Sequence, residues 1–376
     1  MPAYLNSNPS SYDQQPHVQE RDVEPSVKFR DQSGKSLHIG LINNMPDGAL
    51  EATERQFLSL LNAASDGIEV CLSLYSLPGV PRNEIGAERV RNFYTSAENL
   101  LKSHSDTHLD GLIVTGREPL TPNLQDEPYW DSFTRVLEWA RENTHSTVWS
   151  CLAAHAATLH MDGITRVRSP HKHCGVFDCV QLSSHALTEG TPLRFSLPHS
   201  RWNGLPEDAL TASGYTVLTR SAETGVDTFV KQFKSLFVFF QGHPEYESNT
   251  LLLEYRRDVG RFLRRETNAY PLMPRNYFDR DTIHALTALQ RKAETRPHED
   301  LLADVSEILE MPSIENAWAP TAQCMYKNWL KYIYEQKQLR LEDSRNSAET
   351  NEIDGSDAAL AIATAVPSTA GLSTEY

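Results

Sequence analysis

The sequence predicts an α/β protein: a mainly parallel sheet flanked by helices, with a helical extension at its C-terminal end. Three patterns predict it. Short β-prone runs alternate with segments of helical periodicity in the first half, later runs follow one another through loops alone, and residues 281–338 read as helix. The strand candidates are residues 37–42, 69–73, 111–114, 147–149, 176–181, 216–219, 228–231 and 236–240. Between the early ones, residues 49–63 set Leu50, Phe57, Leu58 and Leu61 near helical spacing, and residues 129–142 do the same with Trp130, Phe133, Val136, Leu137 and Ala140. Strands joined through helices make parallel neighbours, and the helices cover both faces of the sheet. The later strands, joined without helices, predict an antiparallel extension.

Composition sets limits on this framework. Residues 1–35 are rich in Ser, Asn, Gln, Pro and charge, while residues 339–376 turn acidic and then low in complexity; both read as disordered tails around a single domain at 36–338. A net charge of -15 argues against nucleic-acid binding, which needs a basic surface. No apolar run approaches the roughly twenty residues of a membrane span, and the N-terminus lacks the apolar core of a signal peptide. The five cysteines, Cys71, Cys151, Cys174, Cys179 and Cys324, show neither metal-ligand spacing nor a disulfide framework. A reducing, cytoplasmic setting is expected.

Two short segments carry the chemistry. Cys151 follows the β-prone Thr147-Val148-Trp149-Ser150 and precedes the alanine-rich, helix-like Leu152 to His160. That is a strand, a tight turn and a helix, which would lift the thiol clear of the sheet at a helix N-terminus that favours negative charge. The second segment is Gln241-Gly242-His243-Pro244-Glu245, where glycine and proline end the run 236–240. In open parallel sheets, sites gather at the carboxyl ends of strands, which is where both segments fall. A thiol attacks as thiolate and needs a base beside it, and the base needs a third group to orient it. Cys151, His243 and Glu245 supply the three parts. Taken alone, Cys151 could be a buried packing residue and the His-Pro-Glu turn a solvated loop.

Together these segments resemble the class I glutamine amidotransferase-like superfamily, whose fold is flavodoxin-like. The closer resemblance is to its acyl-transferring branch, the homoserine O-succinyltransferase family. It is carried by Ile39-Gly40-Leu41-Ile42-Asn43-Asn44-Met45-Pro46, by Leu109 to Gly116 with Tyr129-Trp130, and by Lys172-His173-Cys174-Gly175. It continues through Pro198-His199-Ser200-Arg201, Glu254 to Asp258, Pro274 to Phe278 and Asn328-Trp329-Leu330. The resemblance implies Cys151 as the residue that becomes the acyl-thioester, His243 as base and Glu245 as its orienter. It further implies Lys172, Ser200 and Arg257 as substrate contacts, with an Arg fork suited to a carboxylate. The substrates implied are L-homoserine and an acyl-CoA as co-substrate, most closely succinyl-CoA, in methionine biosynthesis, with neither a metal nor another cofactor. A homodimer is compatible with this reading, and nothing in the residues requires one.

Departures from the family pattern matter as well. The family carries a lysine shortly after the Asn-x-Met-Pro turn, where this chain has Asp47-Gly48-Ala49, so a cationic contact near the donor must be absent or come from elsewhere. Leu152-Ala153 replaces a Trp-Gly pair, leaving the Leu152 backbone N–H as the expected oxyanion donor. The position that selects the acyl group aligns with Leu120, which would not repel a succinyl carboxylate, and Arg117 nearby would attract one. Further cations expected to serve an anionic coenzyme are Arg166, Arg168, Arg256 and Arg261. Homoserine or serine O-acetylation stays open from the residues. So do glutamine hydrolysis and a non-catalytic binding role on the same scaffold.

Overall fold

The structure is a computed structural model and describes residues 3–5, 36–102, 108–310 and 314–363. In chain order its strands and helices are β1 (Tyr4–Leu5), β2 (Ser36–Ile42), α1 (Leu50–Ala64), β3 (Glu69–Ser76), α2 (Glu84–Phe93), β4 (Thr95–Ser96), β5 (Gly111–Thr115), α3 (Trp130–Asn143), β6 (Ser146–Ser150) and α4 (Leu152–Asp162). They continue with β7 (Val167–Gln181), β8 (Arg194–Gly204), α5 (Glu207–Ala212), β9 (Thr216–Val217), β10 (Thr219–Ser221), β11 (Gly225–Val226), β12 (Thr228–Gln232), β13 (Leu236–Phe240), α6 (Thr250–Leu263), α7 (Arg280–Thr295), α8 (Leu301–Glu310) and α9 (Ala319–Ala363).

Strand pairing follows from the connections. The main sheet runs β1-β3-β2-β5-β6-β13-β12-β9, with β4 beside β3. From β1 to β13 every neighbouring pair is parallel, and β12 and β9 then extend the sheet antiparallel. Among the parallel strands the order β3-β2-β5-β6-β13 is the flavodoxin-like order, whose ligand crevice opens where the order reverses. A separate four-stranded antiparallel sheet, β11-β10-β7-β8, was not foreseen as a distinct layer.

Alternation along each strand divides the core in two. Leu37, Ile39, Leu41, Ile113, Val148, Val238 and Phe240 pack with α1 and α9 on one face, against Phe57, Leu61, Met325 and Trp329. Ile42, Leu112, Val114, Trp149, Phe237 and Phe239 face the other way, onto Phe133, Leu137, Ala154 and Ala157 of α3 and α4. Each fully buried Leu or Phe contributes about 1.5–3 kcal/mol, so the two faces together anchor the strands that end at the site. Trp329 Nε1 also donates to Ser146 Oγ at 2.9 Å, tying α9 to β6. A third cluster joins α6, α7 and α8 through Leu252, Tyr255, Val259, Leu286 and Val305.

The structure corrects several expectations. The run 216–219 does not form one strand: it divides between β9 in the main sheet and β10 in the second sheet. Strand β8 was missed, because Pro198 and the polar residues after it obscure its pattern; it lies at a sheet edge, where proline is tolerated. The expected tail boundary after residue 338 is not a helix end, since α9 continues to Ala363 through a stretch without proline. At the other end β1 pairs with β3 inside the expected N-terminal tail, while residues 6–35 lie outside the described residues. Among the described residues no helix is long and apolar enough to cross a membrane.

Candidate active site

Register brings the chemistry to one level. Thr115 pairs with Ser150 and Ser150 with Phe240, so Gly116, Cys151 and Gln241 leave three adjacent strands side by side. Cys151 adopts φ 52° and ψ -110°, a strained conformation for a non-glycine residue, and opens α4 directly. Such strain costs about 1–3 kcal/mol and persists only where the surroundings hold it. Here the Cys151 N–H donates to Phe240 O at 2.7 Å and its carbonyl accepts from Ala154 N at 3.0 Å.

His243 Nδ1 lies 2.9 Å from Glu245 Oε1, which leaves Nε2 for the Cys151 thiol, whose charge bears on the ring. Ser150 Oγ donates to the same Glu245 oxygen at 3.3 Å. Burial alone would push His243 down; the charges of Cys151 and Glu245 and the hydrogen bond to Glu245 outweigh it and hold the imidazole well above its usual range. Tyr246 stacks on the ring at 4.2 Å, and Trp318 Nε1 caps Tyr246 O at 2.7 Å. The expected trio is therefore gathered around the His243 ring, which is clamped from the side.

A buried polar network that the sequence reading missed fixes the loop carrying His243. Gln241 uses its whole amide: Oε1 accepts from Leu205 N and His155 Nε2, while Nε2 donates to Val226 O. His155, pushed down to about 3 by burial, is neutral there. Gly242 N donates to Asp227 Oδ1 at 3.1 Å, and a side chain at 242 would meet that oxygen at 2.6 Å. His199, Asp227 and Cys179 bring three ligand-type atoms within 4.8 Å of one another. The hydrogen bonds give the trio a different role: Arg201 Nε donates to His199 Nδ1 at 3.2 Å, so the ring proton sits on Nε2, 3.3 Å from Asp227 Oδ1. Gln241, Gly242, His199 and Arg201 fall in segments that the sequence marks, but their joining into one network is a property of the fold.

Lys172 of β7 and Ser200 of β8 meet Arg257 of α6 at the acids of that helix. Lys172 Nζ lies 3.4 Å from Asp258 Oδ2, Arg257 Nε donates to Asp258 Oδ1 at 2.9 Å, and Ser200 Oγ donates to Glu254. Tyr246 OH donates to Glu254 Oε1 at 2.6 Å, which links this group to the His243 ring. Burial lowers the Lys172 pKa, but the Glu254 charge and those beyond it prevail and raise it. Glu254 and Asp258, one helical turn apart, were not singled out from sequence as site residues, although their spacing puts them on one face.

On the opposite side of Cys151, a side chain at Gly116 would come within 2.7 Å of the Leu152 nitrogen; glycine keeps that N–H open, where the oxyanion donor was expected. Arg117 lines a narrow recess with Asn44, Thr115, Leu152, Ala153 and Tyr129. The turn lacking a lysine receives a cation from elsewhere: Arg82 donates to Met45 O and to Asn43 O (3.0 Å) and pairs with Asp47 at 3.3 Å. Arg166 senses the charge of Cys151. Leu120 does not line the recess; its side chain is 55% exposed, while its backbone N–H donates to Glu127 Oε1 at 2.7 Å. Of the other expected cations, Arg168 stacks on Trp202 at 4.5 Å and Arg261 pairs with Glu118 and Asp258.

The family model for homoserine O-succinyltransferase matches residues 23–339. The homoserine O-succinyltransferase of Rhodopseudomonas palustris is 45% identical over 301 residues, covering 80% of this chain and 89% of that protein. That of Bradyrhizobium japonicum is 42% identical over 298 residues, covering 79% and 90%. Among solved structures, a glutamine amidotransferase from Methylobacillus flagellatus is 16% identical with a TM-score of 0.43, covering 79% of this chain and 95% of that one. The chain thus belongs to the homoserine O-succinyltransferase family and is an acyltransferase.

Proposed function

We propose that this chain transfers the succinyl group of succinyl-CoA to the hydroxyl of L-homoserine, a step of methionine biosynthesis in the cytoplasm, through a thioester on Cys151. The observation that carries the reading is the gathering of Cys151 and Glu245 around the His243 ring at the ends of β6 and β13, with the nucleophile held at positive φ. In the first half-reaction the thiolate adds to the thioester carbonyl, and the oxyanion is met by the Leu152 N–H. Coenzyme A leaves as its thiol, taking the proton from His243. In the second, neutral His243 accepts the homoserine hydroxyl proton as the oxygen attacks the acyl group, and Cys151 departs as thiolate. Glu245 holds the ring with Nδ1–H toward itself and stabilises imidazolium.

Homoserine arrives as a zwitterion. Arg257 and Lys172 suit its carboxylate, while Glu254 and Asp258 suit its ammonium, and Ser200 closes the pocket between them. Steady-state rates over a grid of succinyl-CoA and homoserine concentrations test the order of events. Parallel double-reciprocal lines are expected; intersecting lines would mean that both substrates must be bound at once, and the covalent route would fall.

A further inference from the structure

Arg117 stands out as a guanidinium with an unmet need. Its Nε is buried without a hydrogen-bond partner, its Nη1 reaches only Pro81 O at 3.3 Å, and among the described residues it makes no ion pair. A buried donor left unmet is costly, and a cation without a counter-charge more so. Its surroundings deepen the imbalance. The charge of Arg117 bears on Arg82, and both Arg117 and Arg166 bear on the Tyr129 hydroxyl. Arg166 Nη1 is likewise buried without a partner.

The nearby acids bond elsewhere and, among the described residues, none pairs with Arg117; Glu127 keeps one oxygen, Oε2, buried without a hydrogen-bond partner. Asp47 is held by Arg82 and by Asn83 N at 2.9 Å. Glu127 gives Oε1 to Leu120 N, Thr121 N and Thr121 Oγ1, which pins the loop between β5 and α3. Three guanidiniums thus face two carboxylates, Asp47 and Glu127, an excess of one positive charge at a recess lined by Leu152 and Ala153, the first residues after the nucleophile. Arg117 directly follows Gly116, the residue packed on the Leu152 nitrogen.

We propose that Arg117 binds the distal carboxylate of the succinyl group and so selects succinyl-CoA over acetyl-CoA. The proposal rests on the acyl transfer argued above and names the residue that decides its donor. A succinyl thioester places one carboxylate a short chain beyond the reacting carbonyl, and a guanidinium can take it with two parallel N–H bonds. Acetyl has no group to meet that charge, and would leave the buried N–H unsatisfied. Arg82 and Arg166 add field from either side. They supply the cationic character that the turn at Asp47 lacks.

The test uses the full chain with Arg117→Met, which keeps length and removes charge, and Arg117→Lys, which keeps charge and removes the fork. The ratio of kcat/KM for succinyl-CoA to that for acetyl-CoA is measured for each at fixed homoserine, with thermal melting as a control of folding. The ratio is expected to fall by about tenfold to a hundredfold in Arg117→Met and by less in Arg117→Lys, since discrimination built on a buried polar contact is large. A ratio within about twofold of the parent in both variants would overturn the proposal. So would equal loss with both donors, which would assign Arg117 to the coenzyme A moiety the donors share. A parent protein acylated by neither donor would instead overturn the acyl-transfer reading itself, a failure distinct from an unchanged ratio in a working enzyme.

Discussion

The two sides of Cys151 are built on opposite electrostatic plans. On the α6 side the cations already have partners: Lys172 and Arg257 share Asp258 at 3.4 and 2.9 Å, and Glu254 takes Ser200 and Tyr246. On the β5 side Arg117 has, among the described residues, no acid within ion-pair distance, and buried nitrogens of Arg117 and Arg166 have no partner. A balanced cluster suits a zwitterion, which brings one charge of each sign and must displace little. An unbalanced cluster suits an anion. The same thiol thus sits between a neutral acceptor pocket and a positive donor pocket, inside a chain whose net charge is -15. Specific recognition here is local, and the charge of the whole molecule opposes it.

Changes at the shared centre should abolish the distinction between the two sides. Cys151→Ser should lose both half-reactions, with turnover down by about 10⁴-fold or more, whereas Cys71→Ser and Cys324→Ser should retain it. Equal loss at Cys71 would contradict the assignment. The same centre should react first with iodoacetamide near neutral pH: Cys71, Cys174 and Cys179 are buried, and burial pushes the Cys174 thiol up to about 11. Peptide mapping that found Cys151 the slowest would refute this. Next in size is Glu245→Gln. The amide can hold the ring but cannot stabilise imidazolium, so both half-reactions should slow by about 10²- to 10⁴-fold while the fold persists. Unchanged turnover would leave Glu245 only a structural part.

Changes on one side should separate the halves. Glu254→Gln should raise the KM for homoserine by about tenfold, because one charge of the balanced cluster is gone, yet the rate of acyl-enzyme formation should hold. A matching loss in acylation, read by rapid quench, would erase the division between the sides. The smallest effect is expected at Leu120→Glu. Its exposed side chain would face a succinyl carboxylate through solvent, so the succinyl-to-acetyl ratio should fall by only about two- to fivefold. A larger fall than that of Arg117→Met would move donor selection back to Leu120.

Much of this was legible in the sequence where local chemistry and strand ends coincide. Cys151 between a β-prone run and an alanine-rich helix, and His243 after Gln241-Gly242, each announce a strand end, so their meeting follows from a parallel sheet. Ser200 could be assigned only by resemblance, because Pro198 hides the edge strand that carries it. Glu254 and Asp258 read as ordinary acids on an amphipathic helix; which face of α6 turns inward is decided by packing on α7 and α8. The run 216–219 shows why strand propensity does not give sheet membership. Leu218 N donates to Thr228 O while its own carbonyl takes Leu182 N, so the chain crosses from one sheet to the other in a single residue. The sequence points to Arg117 as a cation that would attract a succinyl carboxylate, while its lack of an ion pair among the described residues is a property of the folded loop.

The central claim is that the acyl group rests on Cys151 between two separable half-reactions. Intact-mass measurement of the full chain after mixing with succinyl-CoA alone tests it most directly, followed by peptide mapping and a chase with homoserine. The account predicts one succinyl adduct, located on Cys151, that persists without acceptor and disappears on adding homoserine as O-succinylhomoserine forms. Product formation from both substrates with no adduct, or an adduct on another residue that homoserine discharges, would contradict it.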